Sequence, residues 1–173
     1  MNKVYLFLAN GFEDIEAITT IDLLRRAEIE VVSVSISKNK DVVSSHGVTI
    51  KSDEIFEDIA DFDCDMLILP GGGTGVKNLK SFEPLHEILI SANDNNKKIA
   101  AICAAPSILG MLNILNKKEA VCYPGFENEL LGAEVSHDPV KVSENVITSR
   151  GAGTAILFSL KIIEILKGKW ISD

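Results

Sequence analysis

The residue types able to do covalent chemistry are few, and three segments hold them. In Ala100-Ala101-Ile102-Cys103-Ala104-Ala105-Pro106, small residues surround one cysteine, where an apolar run gives way to a proline-started helix. Proline suits the first helical turn, which needs no N–H. The pattern predicts a sharp strand-to-helix turn of the nucleophile-elbow kind, with cysteine in place of serine. A helix N-terminus there is expected to favour the thiolate and lower the thiol pKa. The plainer reading is a buried structural thiol, and it suits Cys64 and Cys122. In the second segment, Asn10-Gly11-Phe12-Glu13-Asp14-Ile15-Glu16-Ala17, three acids open a helix. Glu13 and Asp14 are accounted for by the helix dipole. Glu16, flanked by Ile15, Ala17 and Ile18, is expected to be partly buried at a sheet edge, where desolvation raises a carboxyl pKa and equips it as acid and base. The third segment is Pro70-Gly71-Gly72-Gly73-Thr74-Gly75. It lacks the Gly-Lys-Ser/Thr ending of a phosphate-binding loop. Two readings stand: a tight turn, or backbone N–H groups aimed at a developing negative charge.

Each segment follows an apolar run of strand length. Residues 4–9, 31–36, 66–69 and 98–102 read as strands, and 15–27, 83–93, 105–115 and 153–166 as helices. In the first helix Ala17, Ile18, Ile21 and Leu24 form the expected inner stripe; in the last, Ile156, Leu160, Ile163 and Leu166 do. Residues 42–52 read as a hairpin turning at His46-Gly47, and 120–148 as short β candidates between turns. Strand and helix in alternation predict an α/β fold, a doubly wound, mostly parallel sheet sandwiched by helices, with its site at the carboxyl ends of the strands. No linker or repeat divides the chain, so residues 1–173 form a single domain, and no further helix is expected between the last one and Asp173.

Composition limits the function. The chain has 173 residues, 17 basic and 25 acidic side chains, and a formal charge of −8. That balance argues against a nucleic-acid or anionic-membrane partner. No apolar run approaches the ~18 residues of a membrane span, and the N-terminal run is too short for a signal peptide. Three widely spaced cysteines make no disulfide framework and point to reduced thiols in the cytoplasm.

Taken in order, Gly11-Phe12-Glu13-Asp14-Ile15-Glu16, Leu69-Pro70-Gly71-Gly72-Gly73, the Cys103 segment and Thr148-Ser149-Arg150-Gly151-Ala152-Gly153-Thr154 resemble the ThiJ/PfpI superfamily, in its DJ-one-like branch. The likeness runs from Val4 to Lys167. It implies a flavodoxin-like sandwich and a homodimer. It implies Cys103 as nucleophile, Glu16 as a protonated partner hydrogen-bonded to it, and the backbone N–H groups of Gly72 and Ala104 around the sulfur. Gly71 and Gly73 would flank the pocket, Arg26 would stand near it across from a partner subunit, and Tyr123 would take the place where animal members carry a histidine before a proline. Protease-like members have a histidine directly after the cysteine. Here that residue is Ala104, and His46, His86 and His137 lie outside the motif, so a Cys–His protease is disfavoured.

The resemblance implies a glyoxalase or deglycase that uses no cofactor and no metal and acts on methylglyoxal and related 2-oxoaldehydes or their adducts. The alternative is an oxidative-stress sensor or chaperone, in which Cys103 oxidises to sulfenic and sulfinic acid without turnover.

Overall fold

A computed structural model of the chain describes residues 2–169; Asp173 lies outside them. In chain order the elements are β1 (Lys3–Leu8), α1 (Asp14–Arg26), β2 (Glu30–Ser35), β3 (Asp41–Val43), β4 (Thr49–Lys51), β5 (Glu54–Ile55), β6 (Met66–Leu69), α2 (Gly73–Lys80), α3 (Glu83–Asp94), β7 (Lys98–Ile102), α4 (Pro106–Met111), β8 (Glu119–Ala120), β9 (Glu134–Val135), β10 (Val140–Ser143), β11 (Val146–Ser149) and α5 (Ala155–Lys167). Seven strands form the main sheet in the order β10-β11-β7-β6-β1-β2-β5. All its pairings are parallel except β10 on β11. The β3–β4 hairpin stands apart as an antiparallel pair turning through Gly47.

The central strands are buried on both faces, so their side chains serve two cores in alternation. Tyr5, Phe7, Leu67, Leu69, Ile99 and Ala101 point to one side, against Val76 and Leu79 of α2, Leu85 and Leu89 of α3, and Ile108 and Leu109 of α4. Val4, Leu6, Leu8, Met66, Ile68, Ala100 and Ile102 point to the other, against Ala17 and Leu24 of α1 and Phe158 and Ile162 of α5. The chain runs from β1 outward to β2 and β5, then returns to lay β6 on the opposite side of β1. Strand order reverses there, and the crevice beyond the strand ends opens at that point.

Four sequence expectations shift. Ile18 of α1 is 41% exposed, because the helix turns Glu16, Ala17, Thr20 and Leu24 inward instead. Thr20 enters the core without an unsatisfied hydroxyl, since its Oγ1 donates to the Glu16 carbonyl at 2.7 Å. In α5 the buried stripe is Ala155, Phe158, Ser159, Ile162 and Ile163, a regular i, i+3, i+4 pattern set by the bulk of Phe158, and Ile156 is 60% exposed. The helix α4 stops at Met111, short of Leu115, and Asn113 takes a left-handed conformation just beyond it. Finally, α2 begins inside the glycine run, where residue types favour a turn. Among the described residues no helix is long and apolar enough to cross a membrane.

Candidate active site

Three loops meet beyond the carboxyl ends of β1, β6 and β7. After β1, Glu13 caps α1: its Oε2 accepts from the Glu16 N–H at 2.8 Å, while its own N–H donates to the Gly71 carbonyl at 3.0 Å. The cap therefore also ties the first loop to the loop that follows β6. One turn into the helix, Glu16 is 1% exposed. Its Oε2 accepts from the Gly71 N–H at 2.8 Å, and its Oε1 is buried with no partner among the described residues. Close approach of backbone to carboxyl requires a glycine here. A β-carbon on Gly71 would stand 2.4 Å from Glu16 Oε2 and 2.5 Å from Cys103 Cβ. Gly72 has φ +97, and a β-carbon there would meet the Gly11 carbonyl oxygen at 2.3 Å. Gly73 is open to space on that side.

Cys103 sits at the turn from β7 into α4 with φ +67, a left-handed conformation that non-glycine residues rarely adopt. The turn is held from both sides. The Cys103 N–H donates to the Ser149 carbonyl at 2.9 Å, and the Cys103 carbonyl accepts from the Tyr123 N–H at 2.7 Å. The half-buried thiol faces the Glu16 carboxyl, with the backbone N–H groups of Gly72 and Ala104 directed at its sulfur.

The titration behaviour follows from this placement. Burial, helped by the negative charge of Glu13, pushes the Glu16 carboxyl up to about 7, against the opposing pull of the Cys103 thiol and the Gly71 N–H. The thiol is not lowered as its position before a helix suggests. Burial first, then the charge and hydrogen bonding of Glu16, push Cys103 up to about 12, while the Gly72 and Ala104 N–H groups pull the other way. A helix of six residues offers little dipole against burial and a neighbouring carboxylate. The carboxyl and the thiol are close enough that the protonation of each is felt by the other.

A cavity of about 400 Å³ opens onto the thiol, lined by Glu13, Glu16, Ser45, Gly72, Gly73, Cys103, Ala104, Tyr123, Phe126 and Ala152. Tyr123 is half exposed and lays its ring beside Gly151. Arg26 does not join this group in the single chain. It lies ten residues beyond Glu16, roughly 15 Å along the helix, and pairs with Asp22 at 2.9 Å on the surface. The lining holds no histidine. His46 instead pairs with Asp14 at 2.7 Å, beside Glu13, and these three bring ligand atoms within 4.8 Å of one another, a spacing able to hold a metal ion. Asp14 is already engaged there by Ser44 and His46.

Sequence reasoning missed Ser45, Phe126 and Ala152. Ser45 is delivered by the hairpin through its N–H on the Phe12 carbonyl at 2.8 Å, a long-range bond with no sequence signal. Phe126 had one: it follows Tyr123-Pro124-Gly125, a turn that returns the second ring to the first.

The DJ-1/PfpI family model matches residues 2–165. The chain belongs to the DJ-1/PfpI family. It is 36% identical to protein DJ-1 homolog B of Arabidopsis thaliana over 169 residues, 96% of the chain and 39% of that relative, so it spans about two fifths of the plant protein's length. It is 34% identical to the glutathione-independent glyoxalase DJ-1 of Schizosaccharomyces pombe over 98% of the chain and 93% of that protein. Among solved structures, oxidized Toxoplasma gondii DJ-1 superposes with a TM-score of 0.96 at 35% identity, covering 99% of this chain and 94% of that one. The fold is thus that of DJ-1 proteins: helices on both faces of a mixed, mostly parallel sheet.

Proposed function

We propose that the chain is a cysteine-dependent, cofactor-independent glyoxalase or deglycase acting on methylglyoxal and related 2-oxoaldehydes or their adducts. The observation that carries this reading is the meeting of Cys103 and Glu16 under the Gly72 and Ala104 N–H groups. The kinship with a protein named a glutathione-independent glyoxalase supports it.

Glu16 takes the thiol proton as sulfur adds to the aldehyde carbon and hands it to the new oxygen, held by the two N–H groups, so that a neutral hemithioacetal forms and Glu16 is a carboxylate again. The carboxylate then removes the hydrogen from that carbon and returns a proton to the adjacent one through an enediol. The first carbon is oxidised to a thioester while the neighbouring ketone is reduced to an alcohol, so no outside oxidant is needed. Water cleaves the thioester, releasing the 2-hydroxy acid and restoring the thiol. Tyr123 stands at the mouth to orient the substrate.

Three free thiols fit a reducing cytoplasm. A homodimer fits the apolar residues α1 and the hairpin leave in solvent, Ile15, Ile18, Val43 and Val48. The test is lactate formation from methylglyoxal without glutathione, which Cys103→Ser and Glu16→Ala abolish. No lactate, with a gain of two oxygens on Cys103 under mild peroxide, would overturn the enzyme in favour of the sensor.

A further inference from the structure

Resting on the reading of this cavity as the 2-oxoaldehyde site, we propose that Glu13 makes it a charge filter, admitting neutral carbonyl substrates and rejecting anionic ones. Within the single chain, Glu13 and Glu16 both line the cavity, and none of the other lining residues is Lys, Arg or His. Glu13 cannot swing away freely, because its carboxylate is held by the Glu16 N–H and its backbone by the Gly71 carbonyl. Its charge already reaches the reacting groups, since it opposes ionisation of Glu16. The nearest imidazole, His46, is paired with Asp14, so that pair adds little positive field at the mouth. The rest of the lining is uncharged, and its largest surfaces are the rings of Tyr123 and Phe126, which prefer an uncharged chain. The whole protein, at −8, repels anions in the same sense.

The filter has a use in the proposed reaction. The substrate enters neutral and the product leaves as a carboxylate. A fixed negative charge at the mouth therefore discriminates between the two and hastens release of the second. Glu13 acts as a specificity-determining residue, distinct from the proton transfer assigned to Glu16.

The test uses Cys103 alkylation, which reads the field without turnover. The thiol displaces iodide from neutral iodoacetamide or from anionic iodoacetate; the thiol proton passes to Glu16 or solvent and iodide leaves. The ratio of the two rates, measured on the Cys103 peptide and divided by the ratio for N-acetylcysteine, is expected to favour the neutral reagent by about ten-fold at low salt. Glu13→Gln keeps an acceptor for the Glu16 N–H but removes the charge, and should lower that preference several-fold. Glu13→Asp, which keeps the charge, should not. Added salt should narrow the wild-type preference. In turnover, methylglyoxal should be preferred to the anionic 2-oxoaldehyde 4,5-dioxovalerate, and Glu13→Gln should shrink that preference. An alkylation ratio equal to that of N-acetylcysteine, or one unmoved in Glu13→Gln, overturns the filter. If methylglyoxal is not consumed at all while the alkylation ratio behaves as stated, the enzymatic reading fails and the filter stands.

Discussion

Glu16 and Cys103 meet across a space that exists because residue 71 has no side chain. A β-carbon on Gly71 would lie 2.4 Å from Glu16 Oε2 and 2.5 Å from Cys103 Cβ, closer than real β-carbons approach. Acid, thiol and glycine are supplied by three different strand ends and are held by backbone groups: the Gly71 N–H holds Glu16, the Ser149 carbonyl and the Tyr123 N–H hold Cys103, and the Glu13 N–H holds Gly71.

The three adjacent glycines should therefore respond differently to alanine. Gly71→Ala collides with the reacting pair, and overpacking of this kind costs about 1–3 kcal/mol. Gly72→Ala collides with the Gly11 carbonyl oxygen and must also adopt φ near +97. Both should melt at lower temperature and lose thiol reactivity. Gly73→Ala meets nothing within 4 Å and opens α2, so it should be neutral or stabilising by up to about 1 kcal/mol. Calorimetry on the three variants checks the order. Equal losses in all three would contradict the assigned contacts.

The raised Glu16 pKa predicts a pH dependence of stability. The folded carboxyl titrates near 7 against an ordinary 4.5, so the native state holds more protons between those values. Stability from this group is greatest below about 4.5, falls as pH rises through the window, and is lowest above about 7. The shift corresponds to about 3 kcal/mol. Glu16→Gln removes the titration while keeping an acceptor for the Gly71 N–H. Its stability relative to wild type should rise between pH 4.5 and 7.5, measured by urea unfolding at fixed salt. A constant difference across that range would show that the carboxyl is not raised.

Much of this arrangement was readable from residue order. The apolar runs located β6 and β7 to the residue, because strands covered on both faces leave no alternative pattern, as in Met66-Leu67-Ile68-Leu69. The segments carrying Cys103 and Glu16 were legible because a lone cysteine before proline, and an acid among apolar residues, are each locally unusual. What sequence could not supply was phase and long-range geometry. Apolar count alone put Ile18 and Ile156 inside, whereas the buried faces are set by Glu16 and Phe158. The thiol's upward shift was equally hidden, since it depends on burial and on a carboxyl 87 positions away in the chain. Arg26 is the reverse case: the resemblance carried it to the pocket, and the single chain leaves it on the surface with Asp22.

The hairpin is fastened to α1 through a titratable pair. Asp14 hydrogen-bonds to the imidazole of His46 and raises its pKa, while the Ser44 hydroxyl and His46 hold Asp14 below the usual carboxylate range. Stability from a raised histidine is present in full below its unfolded value and is lost as pH rises through the folded one. Asp14→Asn should lower the His46 titration midpoint seen by NMR. In the wild type, amide exchange at Ser45 and Val48 should quicken above that midpoint beyond the ordinary base-catalysed rise. An unmoved midpoint in Asp14→Asn would show that the pair does not form in solution.

The exposed apolar strip makes a separate prediction about assembly. Ile18 and Ile156 line one shallow depression with Leu23, and Ile15 lies one turn before Ile18 on the same helix. Such a patch, rimmed by polar residues, marks an interaction surface. Ile18→Glu points into solvent in the monomer, so it should leave the fold intact while converting a dimer to a monomer in sedimentation velocity. A wild-type monomer at micromolar concentration would contradict the proposed dimer.

The ionisation of Cys103 decides where the proton of the pair resides. The family resemblance implies a protonated Glu16 beside a thiolate, whereas burial pushes the thiol up to about 12 and the reaction proposed above gives Glu16 the part of the base. Glu16→Gln separates the two. If the wild-type carboxyl is ionised, its charge raises the thiol. Removing it should then bring the midpoint of Cys103 alkylation down toward, but not to, the ordinary ~8.5, because burial remains the largest cause. If the carboxyl already carries the proton, glutamine imitates it and the midpoint should stay or move up. Alkylation by iodoacetamide between pH 5 and 10, followed on the Cys103 peptide, reads the answer directly. A downward move assigns the first proton transfer of the reaction to Glu16 as base, at the moment sulfur meets the aldehyde carbon.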